Sequence, residues 1–119
     1  MSDLKLLIIL FFAIFGFAAC FGSKPRRFVI ADSKSFEASL FRQDCAICHG
    51  PEADGRVLDN NAKVPSLREG EFKATKPEAI YNQIANGGNG MVPFRDQFTA
   101  RELKLMVDFV QNDLRGDNK

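Results

Sequence analysis

Cys45-Ala46-Ile47-Cys48-His49 decides how the rest of this chain is read. Two cysteines separated by two residues, with a histidine directly after them, form the attachment signature of a c-type haem. The spacing follows from the chemistry. Two thiols add across the macrocycle's two vinyl groups as thioethers, and the adjacent imidazole then lies under the iron. Other uses of a Cys-x-x-Cys pair fit worse. A structural zinc site takes four Cys or His ligands, yet outside this motif the chain has only Cys20, set in an apolar run, and no second histidine. A dithiol redox pair belongs to an alternating strand–helix pattern, which the sequence lacks.

The length of 119 residues suffices for one domain and a leader. Acids and bases are interspersed and the formal net charge is +1, so neither a nucleic acid nor an acidic surface is implied as partner. Twelve Phe, one Tyr and no Trp suit a small core that needs bulky apolar filling. A buried macrocycle would supplement such a core.

Upstream, residues 6–22 carry no charge, slightly fewer than the ~20 apolar residues of a membrane-spanning helix. As a secretory leader the run fits well, ending in small residues. Phe17-Ala18-Ala19-Cys20 resembles the lipobox of bacterial lipoproteins, where the leader is cut before a cysteine that is diacylated on its thiol, although Phe17 departs from the usual Leu-like residue. An uncleaved anchor is the alternative. Lys24, Arg26 and Arg27 beyond the run, against Lys5 alone before it, are the wrong charge bias for that orientation. Ordinary secretion is the third reading, and all three deliver the domain outside the cytoplasm. The division is a signal peptide over 1–19 with Cys20 as the lipid-bearing mature N-terminus, a linker over 20–34, a domain over 35–116 and a tail over 117–119. Within the linker, Phe28-Val29-Ile30 reads as a short extended piece tucked on the domain.

Ser33 or Ser35 caps a first helix that runs into the haem motif, with Phe41 four residues before Cys45 on the same face. Residues 50–73 lack periodicity and are rich in Gly, Pro, Asp and Asn, as a segment wrapping the haem edge would be. Glu52 and Asp54 read there as solvated loop residues. Thr75-Lys76-Pro77-Glu78 reads as a capping box opening a second helix, with Ala79, Ile80 and Ile84 as its inner stripe. Gly87-Gly88-Asn89-Gly90 follows as a tight, positive-φ loop delivering Met91. Thr99-Ala100-Arg101-Glu102 is a second capping box, and Leu103, Met106, Val107, Val110 and Leu114 continue at helical spacing, with Phe109 beside them.

His49 is the sole histidine, so a bis-histidine haem within the chain is excluded. Met91, Met106, a lysine or an open position remain for the far side of the iron. Met106 falls on the apolar stripe of a regular helix, where packing accounts for it. Met91, between a glycine-rich loop and Pro93, is placed where a side chain is presented; the competing reading is an ordinary surface methionine. Methionine opposite histidine raises the potential and leaves no coordination position open.

Cys45-Ala46-Ile47-Cys48-His49-Gly50, Pro65-Ser66-Leu67, Asn86-Gly87 and Met91-Val92-Pro93-Phe94 follow one another at distances that resemble class I monohaem c-type cytochromes of the small bacterial type. The resemblance covers roughly residues 35–114. It implies an all-α cytochrome c fold, with crossing N- and C-terminal helices, a middle helix, and loops around one covalently bound haem c. It further implies that Phe41 meets Phe109 at the crossing, and that the Pro65 carbonyl accepts a hydrogen bond from the Nδ1–H of His49. Glu37 stands where the family commonly has a small residue, and Pro93 comes one place later than the frequent Met-Pro pair.

The function these readings imply is an extracytoplasmic, membrane-anchored one-electron carrier working between redox protein partners. Cys45 and Cys48 bind haem, His49 and Met91 ligate iron, and Cys20 or the N-terminal apolar segment holds the membrane. Nothing reads as a catalytic acid, base or nucleophile. The alternatives are a fixed haem c subunit of a larger oxidoreductase, and a haem sensor or peroxidase-like protein with a labile Met91.

Overall fold

The computed structural model describes residues 26–116, together with Leu4, Lys5, Ile8 and Phe11. Cys20, the expected cleavage site and the tail 117–119 lie outside the described residues.

Ser35 starts the first helical run. Its backbone is extended (φ −65°, ψ 153°) and its hydroxyl accepts the Ala38 N–H at 3.2 Å, satisfying one of the donors that a helix start leaves unpaired. The run consists of α1 (Phe36–Leu40), a π-helical turn (Phe41–Cys45) and α2 (Ala46–His49), and ends at Gly50 with φ 82°. A π turn inserts one residue into the helical repeat, and such turns cluster at functional sites. Here it spans the segment from Phe41, buried in the core, to Cys45, packed against it.

The C-terminal helix is as firmly specified. Thr99 accepts the Glu102 N–H while the Glu102 carboxylate accepts the Thr99 N–H at 2.7 Å, a complete capping box. From it, α4 (Ala100–Asp108) continues into a π-helical segment (Phe109–Leu114), and Leu103, Met106, Val107, Phe109, Val110 and Leu114 are all buried. Thr99→Ala should cost about 1 kcal/mol in denaturant unfolding. The hydrogen bonds from the Thr99 backbone and hydroxyl hold the Glu102 carboxyl below its ordinary range. Its contribution is therefore present above the carboxyl's unfolded pKa and is lost as pH falls through the lower folded value. A Thr99→Ala protein with unchanged midpoint and unchanged acid sensitivity would refute this.

The helices meet around one aromatic ring. Phe109 lies 6.0 Å from Phe41, tilted at 51°, and 5.5 Å from Phe28 in an edge-to-face contact at 83°. Such pairs add ~0.5–1.5 kcal/mol each beyond their buried area. Phe41 and Phe109 thus meet as the family resemblance implied, and α1 packs on α4. Ala38, fully buried, is the small residue of α1, one place after the half-exposed Glu37. The middle helix, α3 (Pro77–Asn86), packs on α4 as well.

Three local expectations change. The second helix does not open on Thr75: Pro77 occupies its first turn, and the residue before a proline is held extended, so Lys76 (φ −86°, ψ 148°) is the cap and makes no side-chain cap bond. The inner stripe of α3 is Ile80, Ile84 and Ala85, while Ala79 is exposed. The wrapping segment also contains a small antiparallel hairpin, β1 (Arg56–Val57) against β2 (Lys63–Val64), with Arg56 opposite Val64.

The stretch before Ser35 packs along the domain from Arg27 on. Ile30 is fully buried and Phe28 packs against the core. Polar contacts fix this stretch: Arg42 donates to the carbonyls of Ile30 (2.6 Å) and Ser33 (2.9 Å), and Arg27 pairs with both oxygens of Asp54 at 2.6 and 2.7 Å. The Glu52 carboxylate accepts the N–H groups of Ile30 (3.0 Å) and Ala31 (2.8 Å). Glu52 and Asp54 are therefore not merely solvated loop residues, because they receive the chain as it enters the domain.

Candidate haem site

Cys45 and Cys48 stand one helical turn apart, Cys45 half-buried against the core and Cys48 exposed, and they form no disulfide. Burial, reinforced by the neighbouring Asp44 and then by Cys48, pushes the Cys45 thiol up to about 12. That is the opposite of the depressed thiol a dithiol oxidoreductase needs. Ile47, between them, is 72% exposed. Arg56 of the hairpin donates to the Ile47 carbonyl at 3.2 Å, and an open cavity of about 320 Å³ is lined by Ile47, Cys48, Arg56, Leu58, Asp59 and Asn60.

His49 closes α2, and burial lowers the pKa of its ring below the ordinary histidine value, towards the neutral form that ligates iron. Its Nδ1 is buried and makes no hydrogen bond of full geometry. The Pro65 carbonyl lies near enough to the ring to favour its protonated form, an effect smaller than that of burial. Gly55 brings the two segments together. Its N–H bonds the His49 carbonyl at 2.9 Å, its φ is 79°, and a Cβ on it would lie 2.8 Å from the Pro65 carbonyl carbon and the Ser66 nitrogen, and against the Val64 oxygen. A half-buried imidazole with one buried, unpaired nitrogen, following two unlinked cysteines, fits a haem on its other nitrogen.

Met91 is delivered by a two-residue turn. Gly88 and Met91 exchange both backbone hydrogen bonds, at 2.9 and 3.0 Å, around Asn89 (φ 53°) and Gly90 (φ 88°), the left-handed pair that a tight hairpin requires. The loop is tied back onto α3 by Phe94 N–H to the Ile84 carbonyl at 3.1 Å and Arg95 N–H to the Ala85 carbonyl at 3.0 Å. Met91 packs against the core half-buried, whereas Met106 is 2% exposed within α4. Gln83 gives no signal in the sequence, where it reads as one more polar residue of a helix. Its amide donates to the Gly88 carbonyl at 3.1 Å and lies 3.9 Å from the Met91 sulfur.

Gly87 is the joint of this arrangement. At φ 68° and ψ −150° it occupies a region essentially closed to other residues, and a Cβ would lie 2.5 Å from the Met91 carbonyl oxygen and 2.8 Å from the Pro93 nitrogen. Gly87→Ala should lose about 1–3 kcal/mol from the backbone alone, more with the clash, and should displace Met91. Gly88→Ala, at φ 106° with nothing within 4 Å, should cost less. Equal unfolding midpoints for the two variants would show that the close approach at Gly87 carries no weight.

Haem-binding cysteines on a short helix, a mostly helical frame and a loop presenting methionine define a small class I monohaem c-type cytochrome. The model of the family described as cytochrome c oxidase, cbb3-type, subunit III matches residues 37–110, and the chain belongs to this family. It is 27% identical over 103 residues to cytochrome c6 of Gracilaria tenuistipitata var. liui, across 87% of this chain and 93% of that protein. It is 30% identical over 86 residues to the cbb3-type cytochrome c oxidase subunit FixP of Sinorhizobium medicae (strain WSM419). That match takes in 63% of this chain but 28% of FixP, so the chain spans little more than a quarter of that relative. Among solved structures, the KustC0563 c-type cytochrome shares 31% identity at a TM-score of 0.52, over 65% of this chain and 95% of the other. The chain therefore binds one covalently attached haem c and is an electron-transfer protein.

Proposed function

We propose that this chain is an extracytoplasmic one-electron carrier held at a membrane, with haem bound through Cys45 and Cys48, iron ligated by His49 and Met91, and Pro65 orienting His49. The observation that carries this reading is the Asn89-Gly90 turn, which presents a thioether from a loop pinned to α3 rather than packing it inside a helix. When bound, the haem supplies a reversible ferric–ferrous change. The chain's part is to keep the imidazole neutral, to hold Cys45 against the core and to fix the methionine loop. Among the described residues no cluster of His, Cys, Asp and Glu could hold a further metal ion.

The tether rests on Phe17-Ala18-Ala19-Cys20. No helix among the described residues is long and apolar enough to cross a membrane. Cys20→Ser should abolish acyl labelling and leave the leader unprocessed. A native N-terminus at Met1 by intact mass would assign the anchor to an uncleaved helix instead.

The likeness to FixP, and the description of the family itself, favour one second reading: a fixed haem subunit of an oxidase complex. Affinity capture from detergent-solubilised membranes separates the two. A diffusible carrier elutes alone, and a fixed subunit brings stoichiometric partners.

A further inference from the structure

Arg68 is the one buried charged side chain among the described residues, 4% exposed. Its Nε donates to the Glu52 carbonyl, and one terminal nitrogen donates to the Phe28 carbonyl at 2.9 Å and to the Glu52 carboxylate at 3.3 Å. The same carboxylate, itself partly exposed, takes two N–H groups from the entering chain, so Glu52 joins Arg68 to that segment. Burying an ion pair is seldom the most stabilising way to fill a core. What a guanidinium adds is direction, since its donors form a rigid planar fork.

The two segments joined by that fork both lead to the imidazole. Glu52 belongs to the loop leaving His49, which Gly55 bonds back to the His49 carbonyl. Arg68 itself ends the turn that carries Pro65. Leu67 N–H donates to the Ala53 carbonyl at 2.9 Å, and the Ser66 hydroxyl accepts the Arg68 N–H at 3.0 Å. We propose that Arg68 is a positioning residue for the haem ligand His49. Its guanidinium clamps the Pro65–Leu67 turn onto the loop after the haem motif, fixing the carbonyl that faces His49 Nδ1 and thereby the reduction potential. This inference rests on reading His49 as the iron ligand.

Two effects of losing Arg68 have opposite signs. A loosened Nδ1–H···O=C contact makes the imidazole a poorer donor, destabilises ferric iron and raises the potential. Loss of a buried positive charge alone lowers it. The test uses the full-length holoprotein and its Arg68→Gln, Arg68→Lys and Glu52→Gln variants, with Val110→Ala as a destabilised control away from the clamp. Potential is read by redox titration, and Nδ1–H exchange by proton NMR of the haem ligand. Arg68→Gln and Arg68→Lys should both raise the potential and speed Nδ1–H exchange at least tenfold, with Val110→Ala leaving both in place. Should Arg68→Gln not fold, Arg68→Lys and Glu52→Gln carry the same expectation. Unchanged exchange in the variants, an equal change in Val110→Ala, or a fall in potential with Arg68→Gln that Arg68→Lys does not share would overturn the proposal. A wild-type spectrum without an iron-bound imidazole proton would instead remove the assignment of His49.

Discussion

Met91→Ala is expected to convert a closed haem into an open one. With Met91 as sixth ligand, the oxidised wild-type protein shows the weak long-wavelength sulfur-to-iron charge-transfer band, and the reduced protein does not bind carbon monoxide. Removing the thioether abolishes the band and creates carbon monoxide binding. Met91→His restores a closed site at a lower potential, because imidazole donates more strongly and favours ferric iron over the softer thioether. Met106→Leu, within the α4 core, should do none of this and cost less than ~1.5 kcal/mol as a nearly volume-conserving exchange. A band that survives Met91→Ala and disappears in Met106→Leu would assign the other methionine. Carbon monoxide binding by the unaltered protein would move it from carrier towards sensor or enzyme.

The second large effect belongs to the attachment cysteines. Cys45→Ala or Cys48→Ala should sharply reduce covalent haem, and the double variant should eliminate it and lower the yield of folded protein. The frame explains the second part. Its core centres on Phe109, Phe41 and Ile30, and a domain of this size has a modest core that a buried macrocycle supplements. Haem staining after denaturing electrophoresis reads the first effect, and circular dichroism reads the second. A double variant recovered in full yield, folded and free of haem, would show that the chain does not need haem to fold.

How much of this was legible in the sequence varied with the physics of each element. The C-terminal helix was read correctly because Thr99 and Glu102 cap each other locally and the apolar stripe repeats at helical spacing. The Asn89-Gly90 turn was equally legible, since few residues besides Asn and Gly tolerate two successive positive φ angles. Thr75 misled because a capping motif competes with the proline inside it, and the proline's constraint on Lys76 won. The β1–β2 hairpin has two residues in each strand, too few for alternation to register. The roles of Glu52, Arg68 and Gln83 leave no trace in the sequence for a different reason. Their partners include the Ile30 N–H and the Phe28 and Gly88 carbonyls, and a backbone N–H or carbonyl leaves no mark on its residue's identity.

The docked entry segment also sets the leash on which a lipidated domain would move. Arg27 is fixed to Asp54, and six residues of sequence separate it from Cys20. At full stretch that is ~25 Å, about the width of the domain itself. Were Cys20 lipidated, a domain on so short a leash would pivot over a small patch of bilayer instead of ranging freely above it. Its local concentration is then high for neighbours fixed in the same membrane and negligible for sites farther away than the leash extends. Lengthening the stretch before Arg27 with Gly-Ser repeats should extend the range of partners it reaches, while the folded domain stays the same.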